Sequence, residues 1–158
     1  MQQLADVMQG AVTLLARLMI AAVFASAVSN KILQFSSTAA YMASEGVPNP
    51  TFALFGAIGL LLLGCLSLIL GAWMRIGALC LLLFLVAATF YFHDFWRFAD
   101  PGQRQLQTIQ FMKNLAIGGG LLSLAAFGGG PWSVDGWIAL KQEEAESTPK
   151  PRAAAKTQ

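Results

Sequence analysis

Charge is what this sequence has least of. Asp, Glu, Lys and Arg make up 11% of its 158 residues, against 56% hydrophobic, whereas a water-soluble domain carries about a quarter charged residues. That leaves too little polar surface to coat a globule in water. Histidine occurs once, as His93, and cysteine twice, as Cys65 and Cys80. A single imidazole excludes bis-histidine haem ligation, and two well-separated thiols exclude a four-thiolate cluster and a CxxC redox pair. They also lack a metal-site spacing, so they read as small apolar core residues. With no haem, flavin or iron–sulfur motif, no covalently bound cofactor is expected, and a redox group must diffuse in or reside in a partner. No Lys or Arg precedes the first apolar run. A secretory leader needs that positive start, so Ala25-Ser26-Ala27 reads as part of a retained first helix rather than as a cleavage site.

What the sequence does have is oil in long runs. Phe52 to Met74 and Ile76 to Phe92, apart from Arg75 between them, hold no charge, and a spanning helix needs about 17–25 mainly apolar residues. Two further runs qualify less cleanly: Ala11 to Asn30 is interrupted by Arg17, and Ile109 to Phe127 carries Lys113 and Asn114. Lipid offers backbone groups no hydrogen-bond partner, so such runs form helices or a closed barrel, and unalternating runs exclude the barrel. The expectation is an all-α fold: an integral membrane four-helix transmembrane bundle over residues 1–140. Its helices should lie near 11–32, 51–73, 76–93 and 106–128. The stretch 34–50 reads as a loop ending in the turn "GVPNP", and 141–158 as a disordered polar cytoplasmic tail.

Four spans place both termini on one side. Arg75, Lys141, Lys150, Arg152 and Lys156 collect there, against Lys31, Arg97 and Arg104 opposite, so the positive-inside rule favours cytoplasmic termini. Trp73, Trp132 and Trp137 fall at the expected cytoplasmic boundary and Trp96 at the other, where indole rings prefer to sit.

Ionisable residues inside a span are expensive and face a bundle interior or a wet cavity. Lys31, His93 and Lys113 all approach the outer face, and Trp96 and Asn114 accompany them. Together they are expected to form one outward-facing polar pocket, with Lys31 at its rim. A charge, an amide, a switchable imidazole and a flat ring suit a quinone carbonyl, an anion or a lipid headgroup. The competing reading is a snorkelling Lys113 beside an unrelated interfacial His93. At the opposite end Arg17 and Asp135 are expected to pair as a structural clamp. Gly118 to Ser123 is expected to pack tightly against a neighbouring helix.

The ordered pieces "RLMIAAVF" with Lys31, "EGVPNP", "LILGAWMR", "YFHDFW", "FMKNLAIGGGLL" and "GGGPWSVD" resemble the DoxX family of small four-helix bacterial membrane proteins, up to about residue 140. Carried over by position, the resemblance marks Arg17, Lys31, Gly71, Arg75, His93, Trp96, Lys113, Asn114, Gly119, Gly120, Ser133 and Asp135. One departure stands out: relatives often carry a glutamate in the middle of the second span, where this chain has Leu61. The resemblance implies a bacterial inner-membrane subunit associated with a redox complex, quinone- or thiol-linked, with quinone as the expected cofactor. Its implied partners are membrane lipids and a soluble or membrane oxidoreductase subunit, in a homo- or hetero-oligomer and with no nucleic acid. Two other classes stay open: a non-catalytic scaffold subunit, and a carrier for a lipid or anion.

Overall fold

A computed structural model describes residues 2–147, and the described chain is helical with short connections. Six α-helices follow in order: α1 (Gln2–Leu33), α2 (Phe35–Ser44), α3 (Pro50–Leu70), α4 (Met74–Phe92), α5 (Pro101–Phe127) and α6 (Val134–Ser147). A single 3₁₀ turn, Phe95–Arg97, lies between α4 and α5. Helices α1, α3 and α4 are each long and apolar enough to cross a membrane. Helix α5 is as long, but Arg104, Gln105, Gln107, Gln110, Lys113 and Asn114 dilute its apolar run.

Each long helix buries one narrow stripe at spacings of three and four. The stripes are Arg17, Ala21, Phe24 and Val28 on α1; Leu54, Leu61 and Leu68 on α3; Met74, Ala78, Leu81 and Leu85 on α4; and Asn114, Gly118, Leu121 and Leu124 on α5. Such spacing, or its sum of seven on α3, puts each stripe on one helix face, as helices packed side by side require. Large apolar residues elsewhere on the same helices, among them Leu63, Leu66, Leu83, Val86, Leu115 and Leu122, lie exposed. This outward apolar surface is what a lipid environment would cover. The main packing runs α1 on α3, α3 on α4 and α4 on α5, with no comparable contact between α5 and α1.

Three features depart from the expectation. The stretch 34–50 holds α2, whose Met42 joins Val47 and Leu54 in a small second core with Phe35 and Ala39 packed on it. The polar stretch after residue 140 begins as helix: α6 continues to Ser147, started by Ser133, whose Oγ accepts from the Gly136 N–H at 3.0 Å. The expected tail from 148 to 158 lies outside the described residues.

The third departure concerns the glycines. A Cβ on Gly119 would meet nothing within 4 Å, and on Gly118 only ordinary contacts with Leu82 and Leu85, so of the three glycines only Gly120 comes close to a neighbour, Ile20 of α1 at 3.2 Å. The tight crossing is between α3 and α4 instead. There a Cβ on Gly64 would run into Leu81 and the Gly77 carbonyl, and a Cβ on Gly77 into Ser67. Small residues permit close approach, but the neighbour must stand at that azimuth.

Candidate functional site

The gap between α1 and α5, closed at its base by α3 and α4 and covered by α2, forms a cavity of about 450 Å³. Lys31 reaches it from the last turn of α1, His93 from the residue that ends α4, and Lys113 and Asn114 from α5. The rest of the wall is mostly apolar, including Phe24, Ala57, Phe84, Tyr91 and Ile117. A pocket of this size with a few convergent polar groups on an apolar lining is typical of small-molecule sites.

Each polar group has a defined hold. Asn114 is buried, and its Nδ2 donates to the Thr89 Oγ1 at 2.9 Å. His93 Nδ1 stands 2.9 Å from Gln107 Oε1. An amide oxygen can only accept, so in this pairing Nδ1 is the donor. The Lys31 ammonium lies over the Phe84 ring, 5.3 Å from its centre, within cation–π range. Tyr41 stacks on Phe92 with centroids 5.3 Å apart. Burial, followed by the nearby Glu45, raises its phenol above the usual value.

Trp96 stands apart from this group. The 3₁₀ turn packs it on Phe95 and Phe111, and it lines a separate groove of about 720 Å³ between α4 and α5, with Asn114 on the shared wall. The expectation of a tryptophan wall beside Lys31 and His93 is corrected accordingly. Sequence reasoning set its depth from the helix end but had no means to set which side the turn would present.

At the other end, Arg17 and Asp135 do not form the expected direct pair. Arg17 is 1% exposed. Its Nη2 donates to the Trp132 carbonyl at 2.7 Å, while Nε and Nη1 have no hydrogen-bond partner. Asp135 is committed elsewhere: its two oxygens accept from the Trp73 and Met74 N–H groups, each at 2.9 Å. A carboxylate there satisfies orphan donors at the start of α4 and complements its dipole. Trp73 needs this support, because it is a non-glycine residue with φ of 50°. Gly71, with φ of 68°, leaves its side-chain space to the Arg17 guanidinium and Ser133. This end is a packed junction of α1 with the α3–α4 and α5–α6 turns.

Comparison with known proteins fits this architecture. The family model described as DoxX matches residues 12–94, and the inner membrane protein YqjF of Escherichia coli (strain K12) is 36% identical over 122 residues, covering 77% of this chain and 88% of the relative. The chain belongs to the DoxX family. A second relative, the inner membrane protein YphA of the same organism, is 29% identical over 122 residues, with 77% of this chain and 86% of that protein covered. The SURF4 family model also matches, over residues 54–139, and so takes in α5 with Lys113 and Asn114, and Asp135. No solved structure matches the chain.

For this DoxX protein, Leu61 is fully buried in the apolar core and does not line the cavity. The residues that sequence reasoning missed are Thr89, Gln107 and Tyr41. Thr89 carried a signal: a hydroxyl inside an apolar span pairs with some other polar group, and Asn114 was the one at matching depth. Gln107 and Tyr41 carried none, because their roles depend on the path of the chain between helices. Among the described residues no group of His, Cys, Asp and Glu is arranged to hold a metal ion.

Proposed function

We propose that this DoxX-family protein is a small multi-pass subunit of the bacterial inner membrane that binds a quinone or lipid-like amphiphile in the Lys31–His93–Lys113–Asn114 cavity. The observation that carries the reading is the lining of that cavity: Lys31, His93, Lys113 and Asn114 share it with a wall that is otherwise mostly apolar. A polar head would meet Lys113, Asn114 and His93, and an apolar tail would lie against apolar wall residues such as Ala57 and Ile117. The names of the two E. coli relatives support an inner-membrane location. The redox association rests on the resemblance, with an oxidoreductase subunit as the partner that supplies any bound redox cofactor.

The same reading takes α5 as a fourth span, completing a four-helix transmembrane bundle with cytoplasmic termini and the cavity opening outward. A cysteine introduced at Ser147 should resist impermeant labelling from the outer face of intact cells; ready labelling there would overturn the orientation. Extraction of the purified protein tests the ligand. A quinone or lipid should co-purify near one per chain and be lost in the Lys113→Ala variant. Retention of the same molecules at the same level would sink the reading.

A second reading, a scaffold subunit, draws on the apolar groove between α4 and α5. Exposed Leu115, Gly119 and Leu122 leave room there for another helix. Cross-linking from Gly119→Cys to a second protein, with no ligand in the extract, would favour it.

A further inference from the structure

The cavity has a charge imbalance that narrows its ligand. Lys31 and Lys113 both line it, and none of its lining residues is acidic. Among the described residues neither ammonium is paired with a carboxylate. Two acids act on the lining residue Tyr41, and both are engaged: Asp94 is buried and bonded to Arg97 at 2.9 Å, and Glu45 holds the Tyr41 phenol from the end of α2. Lys31 is held at the wall only by the face of Phe84, an arrangement that steadies a cation without neutralising it.

A cation drawn out of water needs a counter-charge or several strong acceptors. The protein supplies neither to Lys31. Asn114 spends one amide N–H on Thr89 and retains a second donor and its carbonyl oxygen for the cavity. Two ammonium groups with an adjacent amide donor form a receptor for an anion. The apolar remainder requires that the anion sit on a hydrocarbon body. A neutral quinone carbonyl would use the donors but leave both charges uncompensated.

We infer that the ligand of this site is an anionic amphiphile, one whose carboxylate or phosphate head lies between Lys31 and Lys113 and whose hydrocarbon chain lies along α1 and α4. This inference rests on the amphiphile-binding reading and sharpens it.

The test uses the full chain in nanodiscs of uncharged phosphatidylcholine and titrates four probes. These are a long-chain fatty acid, a phosphatidic acid, the fatty alcohol of the same chain length, and a short-tailed ubiquinone. Inorganic phosphate and acetate serve as heads without tails. The fatty acid or the phosphatidic acid should bind at least about tenfold more tightly than the alcohol, the worth of one charge-assisted hydrogen bond. Whichever of the two binds more tightly identifies the head as carboxylate or phosphate. Lys113→Gln, at an exposed position that should fold normally, should weaken the anionic probe roughly tenfold and leave the alcohol unchanged. Lys31→Gln should act in the same sense, and Lys31→Arg should restore binding. If the alcohol or the ubiquinone binds as tightly as the anions, or the anions ignore both glutamine variants, the charge inference falls while the amphiphile reading survives. Phosphate or acetate binding as tightly as the tailed probes would overturn the role of the hydrocarbon body. If no tailed probe binds, both fall together.

Discussion

Asn114 on α5 donates to the Thr89 hydroxyl on α4 at 2.9 Å, and the Thr89 O–H in turn donates to the Leu85 carbonyl at 2.7 Å. The bond ties two helices at the level of the cavity and fixes which way the Asn114 amide faces. Interhelical bonds of this kind contribute about 0.6 kcal/mol on average and up to roughly 1.7 in membrane helices. A double-mutant cycle with Asn114→Leu and Thr89→Val should return coupling in that range in detergent melting. Strict additivity would mean that the two side chains act independently.

Gly71 and Gly119 should respond in opposite directions to the same change. Gly71→Ala places a methyl group where Arg17 and Ser133 already sit, at a φ of 68°, and should cost at least about 1–3 kcal/mol. Gly119→Ala enters open space on a helix face and should be neutral or stabilising by up to about 1 kcal/mol. Thermal melts of the two variants beside the parent protein give the answer directly. A destabilised Gly119→Ala would show that a neighbour occupies that face.

Asp135 should matter more than Arg17's nearest acid would by charge alone. Asp135→Ala removes acceptors from both Trp73 and Met74 and should lower stability by about 2 kcal/mol. Asp135→Asn keeps one acceptor oxygen and should lose about half as much. Equal losses for the two variants would assign the effect to charge on Arg17 rather than to the cap.

Tyr41 gives an alkaline signature. Its phenol is raised by burial and then by Glu45, so the folded protein holds that proton to higher pH than the unfolded chain. Its contribution is fully present below the unfolded value near 10 and fades as pH rises through the folded one. Tyr41→Phe should therefore flatten the alkaline limb of melting temperature against pH, modestly, since the ring is 51% exposed. Superimposable limbs for the two proteins would remove the effect.

The four long helices were legible because a bilayer leaves apolar runs one way to satisfy their backbone. That Lys31, His93 and Lys113 meet at one cavity was legible from the helix ends that carry them. Azimuth was not. Trp96 shares their depth yet faces another groove, because the 3₁₀ turn Phe95–Arg97 decides its side. The glycines were legible only in part: Gly120 meets Ile20 of α1, but Gly118 and Gly119 keep their room, and the tightest crossing lies at Gly64 and Gly77. Helix α2 was hidden in a Ser- and Ala-rich stretch, although Phe35, Ala39 and Met42 already had helical spacing. Asp135 drew attention as a charge opposite Arg17, whereas its geometry is that of a cap, which depends on a turn distant in sequence.

That distance has a consequence for biosynthesis. Asp135 lies 62 positions after Trp73, so at about 5–20 residues per second the ribosome needs roughly 3–12 s to deliver it after the turn it closes. During that interval the first N–H groups of α4 lack the two carboxylate acceptors that Asp135 brings. Helix α6 then docks onto a turn made much earlier, and Arg17 donates to the Trp132 carbonyl beside it. A ribosome stalled just short of residue 135 would therefore hold every long apolar helix of the bundle and still lack its latch.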